Sequence, residues 1–311
     1  MSESNDIIKT KGLKRKFKSI CAVDGLDLAI SSGELFGLVG PDGAGKTTVL
    51  RLLAGLLSIS EGEAYVMNYD LKEKAESVKP QIGYMAQQFS LYDELSVIEN
   101  LHFFAELFDV SQKEINERLE YLLEFAGLTE FINRRAVNLS GGMQKKLALA
   151  CTLIHTPKIL LLDEPTTGVD PISRREFWNN LTDLHLQGTT IIISTPYMDE
   201  ADRCSRVGLM YDGKLIECDT PQEIRNKLQG EIIELLTSDW RKTIAAVKKL
   251  KGVYEVQTFG ESIHLVVDSA EKRLPFIKDV LEKSKIMLYN SRIIPPRMEE
   301  AFISLIRKME N

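Results

Sequence analysis

Gly40-Pro41-Asp42-Gly43-Ala44-Gly45-Lys46-Thr47-Thr48 lies between two apolar stretches, Leu35-Phe36-Gly37-Leu38-Val39 and Val49-Leu50-Arg51-Leu52-Leu53-Ala54-Gly55-Leu56. The first stretch reads as a buried strand and the second as an amphipathic helix. A glycine-rich loop between a strand and a helix is the setting of a phosphate-binding loop; that setting, more than the bare pattern, separates it from an ordinary glycine turn. Glycines let the backbone curl until several N–H groups face one anion. The helix that begins near Gly45 adds the positive end of its dipole. Lys46 has the reach for the outer phosphates, and the Thr47 hydroxyl is a ligand for Mg²⁺.

Working outward, the chain has 311 residues, enough for two domains and a sizeable core. Its 44% apolar and 27% charged residues are ordinary for a globular protein, and the net charge of −6 gives no overall nucleic-acid surface. The basic residues Lys9, Lys11, Lys14, Arg15, Lys16 and Lys18 read as a solvated strand edge. Cys21, Cys151, Cys204 and Cys218 form no C-x-x-C pair, and no histidines stand at metal-ligand spacing. They are expected to be reduced, buried residues of a cytosolic protein. The polar start Met1-Ser2-Glu3-Ser4-Asn5-Asp6 is not read as a signal peptide. No apolar run reaches the roughly 18 residues that span a bilayer, so any membrane role is expected to go through a partner.

Before the loop the pattern predicts strands at 7–17, 26–30 and 35–39, broken at Asp24-Gly25 and at Ser31-Ser32-Gly33. After it come a turn at Glu61-Gly62-Glu63, a strand at 64–68 and another at 82–85. Apolar residues then recur at helical spacing (Val97, Leu101, Phe104 and Leu107; Ile115, Leu119, Leu122 and Phe125), which predicts a helical insertion over about 88–155. Ser140 is placed to cap a helix within it. Lys158–Glu164 reads as an apolar strand ending in two acids, and Pro171 opens a helix to about 186. A β-branched strand at 189–194, a helix around Met198-Asp199-Glu200-Ala201 and a hairpin about Asp212-Gly213 complete a mostly parallel α/β sheet with flanking helices. Past Gly230 the order becomes strand, helix, strand, strand, helix, strand, which is a split βαβ, ferredoxin-like arrangement. The expected domains are therefore 1–228 and a small α+β domain at 229–311.

Asp163 falls at the carboxyl end of a central strand, where open α/β sheets place their ligands. There it can hold Mg²⁺, while Glu164 projects differently and can orient or deprotonate an attacking water. Leu139-Ser140-Gly141-Gly142-Met143 supplies a second helix start able to bind an anion.

In combination these motifs resemble the ATP-binding subunits of ABC transporters, over about residues 5–228. Gly40–Thr48 is similar to their Walker A loop, Gln87 to the Q-loop glutamine and Leu139–Met143 to the signature motif. Ile159–Asp163 is similar to the Walker B strand, and Thr167-Gly168-Val169-Asp170 to the D-loop. Phe17 stands in the place of the aromatic that stacks on adenine. The resemblance implies a P-loop NTPase fold with antiparallel N-terminal strands, and ATP and Mg²⁺ as ligands. It implies Lys46, Gln87 and Glu164 as catalytic residues and Thr47, Gln87 and Asp163 around the metal. Gly40, Pro41, Asp42, Gly43, Ala44, Gly45, Lys46, Thr47 and Thr48 would bind the phosphates, as would Ser140, Gly141 and Gly142 of a second ATP-binding subunit. The Leu91–Leu101 stretch, the Gly142-Met143 variant and the ending Pro296-Arg297-Met298-Glu299-Glu300-Ala301-Phe302 resemble bacterial export ATPases of the multidrug and lipid type. Those pair with a separate membrane-spanning permease at the cytoplasmic face of the inner membrane. One cassette in the chain, with unbroken spacing from loop to Walker B, argues against family members acting in translation or DNA repair.

Two positions depart from the family pattern. Asp42 stands where asparagine is common, so its carboxylate is expected to point away from phosphate. Pro196 stands where the family carries a histidine that contacts the γ-phosphate, and His102, His155, His185 and His264 fall elsewhere. Proline offers no N–H and no polar side chain. Reduced hydrolysis is expected, and a regulatory ATP-dependent clamp is the alternative.

Overall fold

The computed structural model describes residues 5–88 and 91–310. The residues Met1–Ser4 of the polar start lie outside the described residues, as do Phe89 and Ser90 inside the expected helical insertion.

Strands β1 (Asp6–Phe17) and β2 (Ile20–Ser31) are followed by β3 (Leu35–Val39), which delivers the glycine-rich loop to helix α1 (Lys46–Leu53). β4 (Glu61–Val66), β5 (Tyr69–Asp70) and the short α2 (Ala75–Val78) lead to β6 (Ile82–Met85). The helical region holds α3 (Val97–Leu107), α4 (Gln112–Ala126) and α5 (Gly141–Leu153). Then come β7 (Ile159–Asp163), α6 (Pro171–Leu186), β8 (Thr190–Thr195), α7 (Met198–Ala201), β9 (Arg206–Tyr211) and β10 (Lys214–Asp219).

A 6-stranded sheet runs β10-β9-β3-β8-β7-β6, parallel except for the terminal β10. β3, β7 and β8 are buried along their whole length, as strands covered on both faces must be. Their register aligns Val39 with Thr195 and Asp163 with Ser194, so three carboxyl ends open at one place. Val49, Leu50, Leu52 and Leu53 of α1 pack into the core between this sheet and the 4-stranded antiparallel sheet β2-β1-β4-β5. Burying each contributes about 1.5–3 kcal/mol, which holds the base of the loop rigid. In the helical region, Ser96 with Glu99 and Ser111 with Glu114 form capping boxes that start α3 and α4.

Three sequence expectations change. Asp24-Gly25 does not break a strand: β2 runs through it with a register shift against β1, and the chain reverses earlier, at Lys18-Ser19. Glu61-Gly62-Glu63 is strand, paired with β1 through Lys11–Glu63 and Lys14–Glu61; Gly62 sits at φ 79°, where a Cβ would lie 2.1 Å from the Gly12 carbonyl oxygen. A strand glycine here marks a bulge and a close backbone approach. The basic N-terminal strand is internal to its sheet; Lys14 pairs with Asp24 at 2.8 Å and Lys16 with Glu61 at 2.6 Å.

The contacts divide the chain after Thr220, so α8 (Pro221–Asn226) belongs with the second unit, where it packs on the last helix. That unit continues β11 (Glu231–Thr237), α9 (Trp240–Val247), β12 (Val253–Phe259), β13 (Ser262–Val267), α10 (Ala270–Lys283), β14 (Leu288–Ile294) and α11 (Met298–Glu310). Its antiparallel sheet runs β12-β13-β11-β14 over its own core of Ile233, Leu235, Val247, Ile263, Leu265 and Ile277. His264 is buried on β13, with Nδ1 2.9 Å from Glu300 Oε1 and Nε2 3.3 Å from Glu234 Oε2.

Candidate active site

The glycine-rich loop is shaped by close approach. A Cβ on Gly40 would lie 2.2 Å from the Met210 carbonyl oxygen, and one on Gly45, at φ 101°, 2.3 Å from that of Ala22. No side chain fits at either place without moving backbone. The Gly40 N–H donates to Thr195 O at 3.3 Å and the Gly213 N–H to Ala44 O at 3.1 Å, which ties the loop to β8 and to the β9–β10 hairpin. Pro41, Asp42 and Gly43 are exposed, Thr48 is half-buried and Ala44 is buried.

Lys46 is only 3% exposed. Its Nζ donates to Gly40 O at 2.8 Å and Pro41 O at 3.0 Å and pairs with Glu164 Oε1 at 3.1 Å. A buried ammonium is tolerated because each direction it faces offers an oxygen. Thr47 Oγ1 donates to Asp163 Oδ1 at 3.0 Å, and Ser194 Oγ donates to the same oxygen at 2.7 Å. Asp163 is fully buried, and its Oδ2 has no hydrogen-bond partner among the described residues. An unpartnered carboxylate oxygen beside a threonine hydroxyl fits a hard divalent cation.

Glu164 takes the left-handed conformation, φ 45°, which an acidic residue holds only when its surroundings impose it. Its N–H is fixed by Ser194, 3.0 Å from Oγ and 3.1 Å from O. The twist sends its side chain to different partners from those of Asp163. Oε1 meets Lys46, while Oε2 accepts from Gln87 Nε2 at 2.8 Å and from Thr167 Oγ1 at 3.5 Å. Gln87 thereby commits its amide nitrogen to Glu164, which leaves only its amide oxygen for a metal.

These contacts bring together Lys46, Thr47, Gln87, Asp163 and Glu164. Ser140, Gly141 and Gly142 stand apart from that cluster in their contacts. Ser140 caps α5, accepting from the Met143 N–H at 3.3 Å, and Gly142 faces the first turn of α6, where a Cβ would meet Ser173 Oγ at 2.4 Å. Asp170 caps α6 through the N–H groups of Ile172 and Ser173. Between these helix starts lies a cavity of about 410 Å³ lined by Gly141, Lys145, Thr167 and Gly168. Phe17, 41% exposed, ends β1 with the Arg15 guanidinium 4.5 Å from its ring centroid.

Three residues escaped the sequence reading. Ser194 bridges Asp163 and Glu164, a role set by the parallel register of β7 and β8. Glu200, 1% exposed, accepts from Thr166 Oγ1 (2.8 Å), Arg174 Nε (2.6 Å), Trp178 Nε1 (3.0 Å) and Thr195 Oγ1 (2.6 Å). Lys145 donates to the backbone oxygen of Gln87 at 2.8 Å. The one available signal was an acid in the Met198–Ala201 helix just after a core strand. Pro196 is half-buried in the turn after β8, where the Tyr197 N–H donates to Thr195 Oγ1 at 3.0 Å.

The profile of the ABC transporter family matches residues 23–167. The probable multidrug ABC transporter ATP-binding protein YbhF of Escherichia coli is 43% identical over 219 residues, 70% of this chain, but the match spans only 38% of that relative's length. The daunorubicin resistance ATP-binding protein DrrA2 of Streptomyces coeruleorubidus is 31% identical, covering 96% of this chain and 94% of the relative. The Nod factor export ATP-binding protein I of Rhizobium etli is 33% identical, covering 98% and 93%. Among solved structures, cbiO1 from Clostridium perfringens superposes with a TM-score of 0.66 at 28% identity, over 72% of this chain and 92% of the other. A dimeric ATP-binding cassette in a post-hydrolysis state with ADP and Pi gives 0.63 at 28% identity, over 68% and 98%. With its phosphate loop, acid-tipped β7 and separate α5 helix start in that family's arrangement, the chain belongs to the ABC transporter ATP-binding proteins.

Proposed function

We propose that the chain is the ATP-hydrolysing subunit of an exporter, working with a second ATP-binding subunit and a membrane-spanning permease at the cytoplasmic face of the inner membrane. The observation that carries this is the convergence of Lys46, Gln87 and Glu164 beside the Thr47–Asp163 pair. The loop N–H groups and Lys46 bind the outer phosphates of ATP, and Phe17 offers a ring face to adenine. Glu164 is the base that takes a proton from the attacking water, and Gln87 orients both. Thr47 and Asp163, with the Gln87 amide oxygen, would hold Mg²⁺, which when bound neutralises phosphate charge; the unpartnered Asp163 Oδ2 supports this assignment. Ser140, Gly141 and Gly142 of the second subunit would complete the phosphate contacts, because the same residues here stand away from the Lys46 cluster. The permease is supported by family membership, and among the described residues no helix is long and apolar enough to cross a membrane. The export direction is supported by the drug-resistance and Nod-factor-export relatives.

Steady-state phosphate release from the wild type and from Glu164→Gln tests the catalytic assignment. Removing the base lowers kcat by about 10²–10⁴-fold while ATP binding persists. Equal turnover in the two proteins refutes it. Pro196 favours one second reading, an ATP-dependent clamp that hydrolyses slowly; a wild type that binds ATP but turns over no faster than Glu164→Gln would favour that clamp.

A further inference from the structure

Two neighbouring lysines follow the Ser140 helix start, and they do different things. Lys146 Nζ reaches α6 and pairs with Glu176 at 2.9 Å, an ordinary contact between helices. Lys145 Nζ instead crosses 58 positions of sequence to a backbone oxygen, that of Gln87, at 2.8 Å. The same Gln87 donates from its side chain to Glu164 Oε2 at 2.8 Å, and Glu164 Oε1 meets Lys46 at 3.1 Å. A continuous line of polar contacts thus runs from α5, through residue 87, to the phosphate loop.

Lys145 is only partly solvated, although the Gln87 oxygen it meets lies on an exposed residue. The lysine is half-buried and lines the cavity of about 410 Å³ beside Leu91, Thr167 and Gly168. Burial pushes its ammonium below the ordinary lysine value, and the charges of Asp163 and Glu164 oppose that shift, so its charge lies within their field. An ammonium on a flexible stem stays in such a place when a partner compensates for its lost water, and the Gln87 carbonyl is that partner.

We propose that Lys145 is a positioning residue: by fastening the Gln87 backbone to α5, it sets where the Gln87 amide meets Glu164. A shift of α5, whose N-terminus carries Ser140–Gly142, would reach Glu164 through two hydrogen bonds rather than along the intervening backbone. A nucleotide touching Ser140 would therefore bear on the carboxylate of the other site. This coupling rests on Glu164 being the hydrolytic carboxylate; the tether itself does not.

The test compares the wild type with Lys145→Met, which keeps the apolar stem and removes the donor, and with Lys145→Arg, which keeps a donor. Amide hydrogen exchange of the full chain is read without nucleotide, so it does not depend on catalysis. In Lys145→Met, exchange at residues 84–88 rises about fivefold or more, as expected for local release, while α1 and α6 keep wild-type rates. Lys145→Arg restores the wild-type rate. Unchanged exchange at 84–88 overturns the tether, and so does a rise spread evenly over residues 5–220. In steady-state turnover, Lys145→Met lowers kcat about tenfold at unchanged KM, and this loss disappears in a Gln87→Ala background. Additive losses overturn the route through Gln87. If wild type and Glu164→Gln turn over equally, the ATPase assignment fails, and hydrogen exchange still decides the tether.

Discussion

By the resemblance, Pro196 stands where a histidine would contact the γ-phosphate, and proline supplies neither an N–H nor a polar side chain there. It follows Thr195, whose register partner Val39 leads directly into the phosphate loop. The turn around it is already satisfied, because Tyr197 supplies the N–H that caps Thr195 Oγ1. A side-chain donor introduced here leaves that backbone hydrogen bond in place. Pro196→His is expected to raise kcat about tenfold or more, since one positioned donor at such a site is worth on the order of 10²–10³ in rate. Unchanged phosphate release in that variant would show that Glu164 alone limits hydrolysis. Asp42 is the milder departure: it lies exposed, consistent with a loop that uses its backbone there.

At the scale of elements, the site is held from behind by Glu200. One buried carboxylate joins Thr166 in the loop after β7, Thr195 at the end of β8, and Arg174 and Trp178 on α6. Four donors satisfy its oxygens, and Arg174 brings the compensating charge; it also pairs with Asp199 at 2.9 Å. Removing the carboxylate leaves those donors without their acceptor at the junction of three elements. Glu200→Ala is expected to lower stability by about 3 kcal/mol, the lower end for breaking a buried pair, because Arg174 keeps some contact with solvent and with Asp199. Urea unfolding with unchanged m-value would measure it, and a loss below about 1 kcal/mol would contradict the bracing role.

For the molecule as a whole, the two units each close a core of their own: one around α1 and the β1–β4 sheet, the other around β11, β13 and α10. All the residues assigned here to ATP lie before Thr220. A chain ending at Thr220 is therefore expected to fold and to bind ATP with a Kd within about threefold of the full chain, as independent cores permit. Fluorescent-nucleotide titration checks this, and loss of binding would mean that residues 221–311 contribute to the site.

Much of the fold is legible in the sequence. Periodicity and turn chemistry located nearly every helix and strand, because local propensity and binary pattern agree along this chain. Glycines, Lys46, Thr47 and the acids of 163–164 announced themselves by type and spacing, since phosphate chemistry restricts which residues serve. Two errors fell where glycine was read as an interruption: at Gly25 (φ 74°) and Gly62 (φ 79°) the strand runs on through a left-handed residue, and the irregular register there depends on a neighbouring strand that local sequence does not specify. Only tertiary structure could place Ser194 opposite Asp163, turn Glu164 toward Lys46, bury Glu200 under four donors and bring Lys145 to Gln87. Each of these depends on strand register or on contacts across many tens of residues, and a side chain's partner there is set by packing rather than by its own identity. The sequence by itself determined that this chain carries a phosphate loop and two acids in a parallel α/β sheet; which oxygen meets which nitrogen was decided by how the strand ends line up.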